Sequence, residues 1–143
     1  MASFDSMKGV IRVANRSEIR VEELNDPISH YTDAVRFGDL LFISGCGPVD
    51  GDLKLVGEDD VAEQARQVFR NMEKVLSAAG ATFADILKVT VYLTDVGDRT
   101  KINPVREEFF GTSRPASSLI GIKELAIPGM MVEVEAIVGI PGA

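Results

Sequence analysis

Val132-Glu133-Val134-Glu135-Ala136-Ile137-Val138 alternates apolar and acidic residues tightly enough to leave the backbone one good option. Side chains repeat every second residue along a β-strand, so the segment reads as a strand with Glu133 and Glu135 on the same side of a sheet. A carboxylate among β-branched residues is costly to bury unless it is paired, neutralised or used. Any fold for this chain must therefore give that side of the strand a polar or catalytic purpose.

The rest of the chain supplies the partners for such a sheet. A first strand is expected over Val10–Val13, and the polar stretch 15–29, with Pro27, reads as irregular. Thr32–Phe37 and Leu40–Ser44 flank Gly38-Asp39, a hairpin signal, and a glycine-rich loop follows. Val61, Ala65, Val68, Phe69, Met72, Val75, Leu76 and Ala79 recur at offsets of three and four and predict a helix over about 60–79, closed by Gly80. Ile86–Leu93 reads as a strand buried on both faces. A second helix is expected over 98–110 with Pro104 near its start, then strands over 116–122 and 131–140. This order predicts one α+β domain over 1–143, with residues 1–9 frayed and two helices on one face of a mixed sheet. The other face needs cover, and copies of the same chain are the simplest source.

Composition narrows the function. A net charge of −7 opposes nucleic acid and anionic membranes, since a phosphate footprint needs clustered Lys and Arg. No apolar run approaches a membrane span, and the first residues lack a signal-peptide core, so a cytoplasmic location is expected. One cysteine agrees with a reducing compartment.

His30 is the only histidine and Cys46 the only cysteine, a poor set for zinc or iron, so no metal is expected. No Gly-x-Ser-x-Gly elbow is present, and the glycines at 45, 47 and 51 fit no phosphate-binding pattern. Cys46, in Ser44-Gly45-Cys46-Gly47, stands either at a site rim or, as free cysteines usually do, inside as a small hydrophobe. Glu135, with Tyr31, Ser44, Ser117 and Ser118 in reach, could activate a water. On the residues alone, ion pairing of Glu133 and Glu135 across a subunit boundary is the favoured account.

Several segments in one order change that balance. They are Ile28-Ser29-His30-Tyr31-Thr32-Asp33-Ala34-Val35, Leu41-Phe42-Ile43-Ser44-Gly45, and Ala62 through Asn71. Further along come Lys88-Val89-Thr90-Val91-Tyr92-Leu93-Thr94-Asp95, Asn103, Glu107-Glu108-Phe109-Phe110-Gly111, Arg114-Pro115-Ala116-Ser117 and Val132-Glu133-Val134-Glu135-Ala136. In these pieces the chain resembles the RidA/YjgF family of small enamine/imine deaminases. The resemblance implies a chorismate-mutase-like α+β subunit forming a homotrimer, with small-molecule substrates in clefts between subunits and no cofactor. It implies that Glu135 holds the attacking water and that Tyr31 lines the pocket. It further implies that backbone around Ser44, Gly45, Cys46 and Ser117 contacts the substrate.

One departure bears on specificity. The resemblance implies an arginine directly after Pro115-Ala116, gripping the substrate carboxylate, but Ser117 stands there. Cys46 stands where glutamine is common. Arg114 lies an odd number of residues from Ser117, so on a regular strand it would point the other way. Arg114, Arg106 and Lys101 remain candidates for the missing charge. The expected function is hydrolytic deamination of enamine/imine compounds other than plain 2-aminoacrylate. The alternatives are a non-catalytic ligand-binding trimer and a ribonuclease, the latter opposed by the charge.

Overall fold

The computed structural model describes residues 2–5, 10–13 and 16–141. Ala2–Asp5 (β1) pairs antiparallel with Val10–Val13 (β2). The strand expected at Val10–Val13 is thus present, and Ala2–Asp5 is paired where fraying was expected; the remainder of 1–9 lies outside the described residues.

A six-stranded sheet forms the body of the fold. Its strands are Arg16–Ile19 (β3), Ala34–Phe37 (β4), Leu40–Cys46 (β5), Ile86–Leu93 (β6), Ala116–Gly121 (β7) and Val132–Gly139 (β8). The order is β3-β4-β5-β8-β6-β7, with β6 and β7 parallel and every other pair antiparallel. A parallel pair needs a crossover, which the second helix supplies. β3 departs from the irregular stretch expected at 15–29. It is an edge strand of four mostly exposed residues, so no apolar alternation reveals it.

Val61–Ala78 (α1) and Arg99–Phe110 (α2) pack against each other, and α1 lies on β5 and β8. The Asp60 side chain accepts from the Glu63 N–H at 3.1 Å and caps the start of α1. Its end is closed by Gly80 at φ +74°, with Gly80 N–H donating to Ser77 and Ala81 N–H to Leu76. That left-handed position with its two bonds is the reason a glycine follows the apolar stripe. Pro104 sits deeper in α2 than the helix start, so the Thr100 carbonyl loses its usual i+4 donor.

Gln64 is fully buried on α1. Its amide donates to the carbonyls of Gly57 and Gly129 and accepts from the Met131 N–H at 2.7 Å, tying the helix to both flanking loops. Such saturation is what lets a polar side chain sit in a core.

Register decides what each sheet face carries. Val132, Val134, Ala136 and Val138 of β8 and Val89, Val91 and Leu93 of β6 are buried beneath the helices. The opposite face presents Val35, Phe37, Leu40 and Phe42 from the β4–β5 hairpin, Lys88, Thr90 and Tyr92 from β6, Ile120 from β7, and Glu133, Glu135 and Ile137 from β8. β6 is therefore covered on one face rather than both. Of its near-continuous apolar run, Leu87 sits at a register irregularity and is exposed, and Lys88, Thr90 and Tyr92 share the face away from the helices.

Candidate active site

Glu135 stands on the face of the sheet away from the helices. Antiparallel pairing sets it opposite Thr90 of β6, which in turn lies beside Ser118 of β7. Glu133 is opposite Tyr92, one row along. A groove of about 330 Å³ runs over this surface, and Ser44, Lys88, Thr90, Glu135, Phe42 and Ile137 line it. Glu135 is exposed there, and among the described residues no Lys or Arg lies within ion-pair distance of Glu133 or Glu135.

Ser44 also borders a narrower cleft of about 40 Å³ containing Tyr31, Asp33, Gly45 and Cys46. The Ser44 hydroxyl donates to the Thr32 carbonyl at 2.6 Å, and its N–H donates to the Asp33 carbonyl at 3.0 Å. Those bonds fix the loop carrying Tyr31 to the end of β5. Asp33 is itself held by Arg20 and the Val21 N–H, each at 2.7 Å. Tyr31 is 45% exposed and free to face a ligand.

Gly45 leaves room for a close approach. A Cβ built on it would stand 2.8 Å from the Glu133 carboxyl carbon, so a larger residue would shift the flexible end of that side chain. Glu133 is half-buried. Burial first, then the charge of Glu135, pushes its carboxyl above the usual carboxylate range. Cys46 is buried, and desolvation together with Glu133 and Asp33 pushes its thiol up to about 12. A thiol so placed stays neutral and is a weak nucleophile, in keeping with a small buried side chain. The Tyr92 hydroxyl titrates above its usual value through burial and then Glu135, whose carboxylate it faces.

Because the fold raises the Glu133 pKa, its stabilising contribution is complete below the unfolded carboxylate value and is lost as pH rises through the folded one. Glu133→Gln stays neutral throughout. Its melting temperature is expected to gain on the wild type at pH 7 relative to pH 4. An equal difference at both pH values would show that folding leaves the Glu133 pKa where the unfolded chain has it.

The remaining candidates lie elsewhere. Ser117 pairs with Val89, whose side chain is buried on the helix side, so within one chain Ser117 and Glu135 occupy opposite faces of the sheet. The reach expected of both toward one water is therefore not met within a single chain. Ser118 shares the Glu135 face but stands two strands away, about 10 Å. Arg114 precedes β7, so strand parity does not govern it. It lines a third groove of about 580 Å³ with Asn103, Arg106, Glu107 and Pro115. Arg106 Nη2 donates to the Ser117 hydroxyl at 3.1 Å. Lys101 is instead 3.5 Å from Asp98.

Two features escaped the sequence reading. Tyr92 and Thr90 join the Glu135 face only through the β6–β8 register, which no local pattern announces. Arg106 meets Ser117 because the α2 crossover returns the chain beside its own helix. Among the described residues no three His, Cys, Asp or Glu side chains group as a metal site, and no helix is long and apolar enough to cross a membrane.

Similarity to known proteins agrees with this geometry. The family model described as Endoribonuclease L-PSP matches residues 22–140. The chain belongs to that family, also known as RidA/YjgF. A RutC family protein of Pyrococcus horikoshii is 39% identical over 119 residues, covering 83% of this chain and 94% of the relative. A 2-iminobutanoate/2-iminopropanoate deaminase of Dermatophagoides farinae is 34% identical over 112 residues, covering 78% and 87%. Among solved structures, the Rid family protein YyfA of Yersinia pestis superposes with a TM-score of 0.82 at 31% identity, covering 87% of this chain and 99% of that one. The α+β mixed sheet with two helices is thus the RidA/YjgF fold, and the family includes imine deaminases.

Proposed function

We propose that this RidA/YjgF chain is a cofactor-independent hydrolytic deaminase of enamine/imine compounds, working as a homotrimer in the reducing cytoplasm. The observation that carries the reading is the exposed Glu135 carboxylate, without an ion-pair partner among the described residues and set in a groove with Ser44 and Thr90. A buried carboxylate would need a partner; Glu135, open to water between Ser44 and Thr90, is placed to hold a water against a substrate.

The chemistry needs little from the protein. An enamine first takes a proton at carbon to become the imine, whose carbon is electrophilic. Glu135 accepts a proton from a water as its oxygen bonds to that carbon. The C=N electron pair moves to nitrogen, which takes one proton from solvent and then the one held by Glu135; the C–N bond breaks with its electrons on nitrogen to release ammonia, and the hydroxyl gives its proton back to solvent to leave the carbonyl product. Positioning and charge stabilisation suffice for such a step. Tyr31, Ser44 and the Gly45–Cys46 backbone form one wall of the pocket. Ser117 and Arg114 form another, supplied from a neighbouring subunit because one chain separates Ser117 from Glu135, while Ser118 stands on the Glu135 face itself. The apolar surface of Phe37, Leu40, Phe42 and Ile120 supports assembly over that face. The family description names an endoribonuclease, but a net charge of −7 favours a small molecule over RNA.

Ser117 in place of arginine argues against plain 2-aminoacrylate as the substrate. Ammonia release from freshly generated imines tests the proposal. Bulkier imines are expected to be accelerated more than 2-aminoacrylate. No acceleration of any imine by a folded, assembled preparation would sink the enzyme and leave a ligand-binding trimer.

A further inference from the structure

Glu135 has a neighbour on its own sheet face that the chemistry above leaves unused. Strand pairing sets Thr90 opposite Glu135 and Tyr92 opposite Glu133, so Tyr92 is the diagonal neighbour of Glu135 on that face. Diagonal cross-strand neighbours stand about 7–8 Å apart, within reach of an aromatic side chain. Tyr92 is half-buried there, and its hydroxyl faces the Glu135 carboxylate. After burial, the charge of Glu135 and a hydrogen bond to it raise the phenol pKa, and the charge of Glu133 adds to them. Two other charged groups share this surface. Glu133 lies on β8 itself, against Gly45. Lys88 of β6 is exposed and, among the described residues, beyond ion-pair distance of both carboxylates. From the flanking strands come uncharged groups, Ser44 of β5 and Ser118 and Ile120 of β7. A phenol is a neutral donor. It can fix a carboxylate oxygen and leave the negative charge in place, where an ammonium or guanidinium would fix the oxygen and neutralise it.

We propose that Tyr92 is a positioning residue for Glu135: its hydroxyl donates to one carboxylate oxygen and turns the other toward the water that attacks the imine carbon. Tyr92 transfers no proton in this role. A phenol pushed upward in pKa keeps its proton at neutral pH and so remains a donor through the reaction. Phenylalanine at position 92 would fill the same space without the donor. The proposal rests on the deaminase reading for the purpose of the contact, but the contact itself can be read without turnover.

The chain has two tyrosines, Tyr31 and Tyr92, and no tryptophan, so ultraviolet absorbance of Tyr31→Phe follows the ionisation of Tyr92 alone. In that background Glu135→Gln is expected to move the Tyr92 titration to lower pH, because the charge and the carboxylate acceptor go together. A curve that stays in place would overturn the proposal. Steady-state kinetics on the best imine supply the second arm. Tyr92→Phe should lower kcat by about ten- to a hundredfold, the usual worth of a hydrogen bond to a charged group, and leave KM close to wild type. Once Glu135 is glutamine, Tyr92→Phe should cost little more, since the two residues then have no shared task. Lost packing would instead lower turnover by the same factor in both backgrounds, and that result would overturn the proposal. A titration that responds to Glu135 in a protein that hydrolyses no imine would uphold Tyr92 as the group that orients Glu135 and retire the deaminase reading. Hydrolysis indifferent to Tyr92→Phe would keep the deaminase and overturn the proposal.

Discussion

Glu135→Gln is expected to lower imine hydrolysis by about a hundred- to ten-thousandfold, the usual share of a positioned general base. Glutamine keeps the shape and hydrogen-bonding reach of the side chain but cannot take a proton from water. Glu135 is exposed, so stability should change by no more than about 0.5 kcal/mol and the assembly should persist. The substrate KM should move little, because a general base acts on the transition state rather than on the bound substrate. Removing its charge also takes away one of the two causes that raise the Glu133 pKa, so Glu133 should titrate closer to the ordinary carboxylate range. Steady-state kinetics on the best imine, with denaturation and sizing of the same preparation, would decide the matter. Turnover equal to wild type would remove Glu135 from the mechanism. Lost turnover together with lost assembly would point instead to a structural part in the interface.

Phe69→Ala is expected to cost about 3–5 kcal/mol, the largest stability effect anticipated for a single side chain here. Phe69 is 1% exposed on α1 and meets three other rings. The centroid distances are 6.1 Å to Phe83, 5.4 Å to Phe109 and 5.8 Å to Phe110. Phe83 also touches Phe109 and Phe110, so one cluster joins α1, the turn before β6 and the end of α2. Truncating the central ring leaves a cavity that three rigid neighbours cannot collapse to fill. Against a typical stability of about 5–15 kcal/mol this is a large fraction. Urea unfolding should show a lower midpoint with an unchanged slope. A loss under about 1 kcal/mol would mean that the cluster repacks. Turnover per folded molecule should be preserved, since the cluster lies on the other side of the sheet from Glu135.

These two residues differ in how they could be found. Phe69 is legible from spacing alone, because it falls on the apolar stripe of α1 and a stripe must face a core. Glu135 is legible as an oddity, a carboxylate in an alternating strand, and its side of the sheet follows from the two-residue period. Whether it works or merely pairs was not legible, since local pattern says nothing about which cations lie nearby. β3 was missed because an exposed edge strand has no face to bury, and β6 was read as buried on both faces because local pattern does not show the register irregularity that leaves Leu87 exposed.

The amino-acid order by itself determined the helices and their ends, the hairpin at Gly38, the acidic side of the last strand and the family, all properties carried by local periodicity and contiguous motifs. Only the tertiary structure decided that Ser117 and Glu135 lie on opposite faces, that Glu133 is laid against Gly45, and that Arg106 from a helix stands beside Ser117 of a strand. Those relations depend on strand register and on a crossover, which bring together residues that no sequence pattern couples.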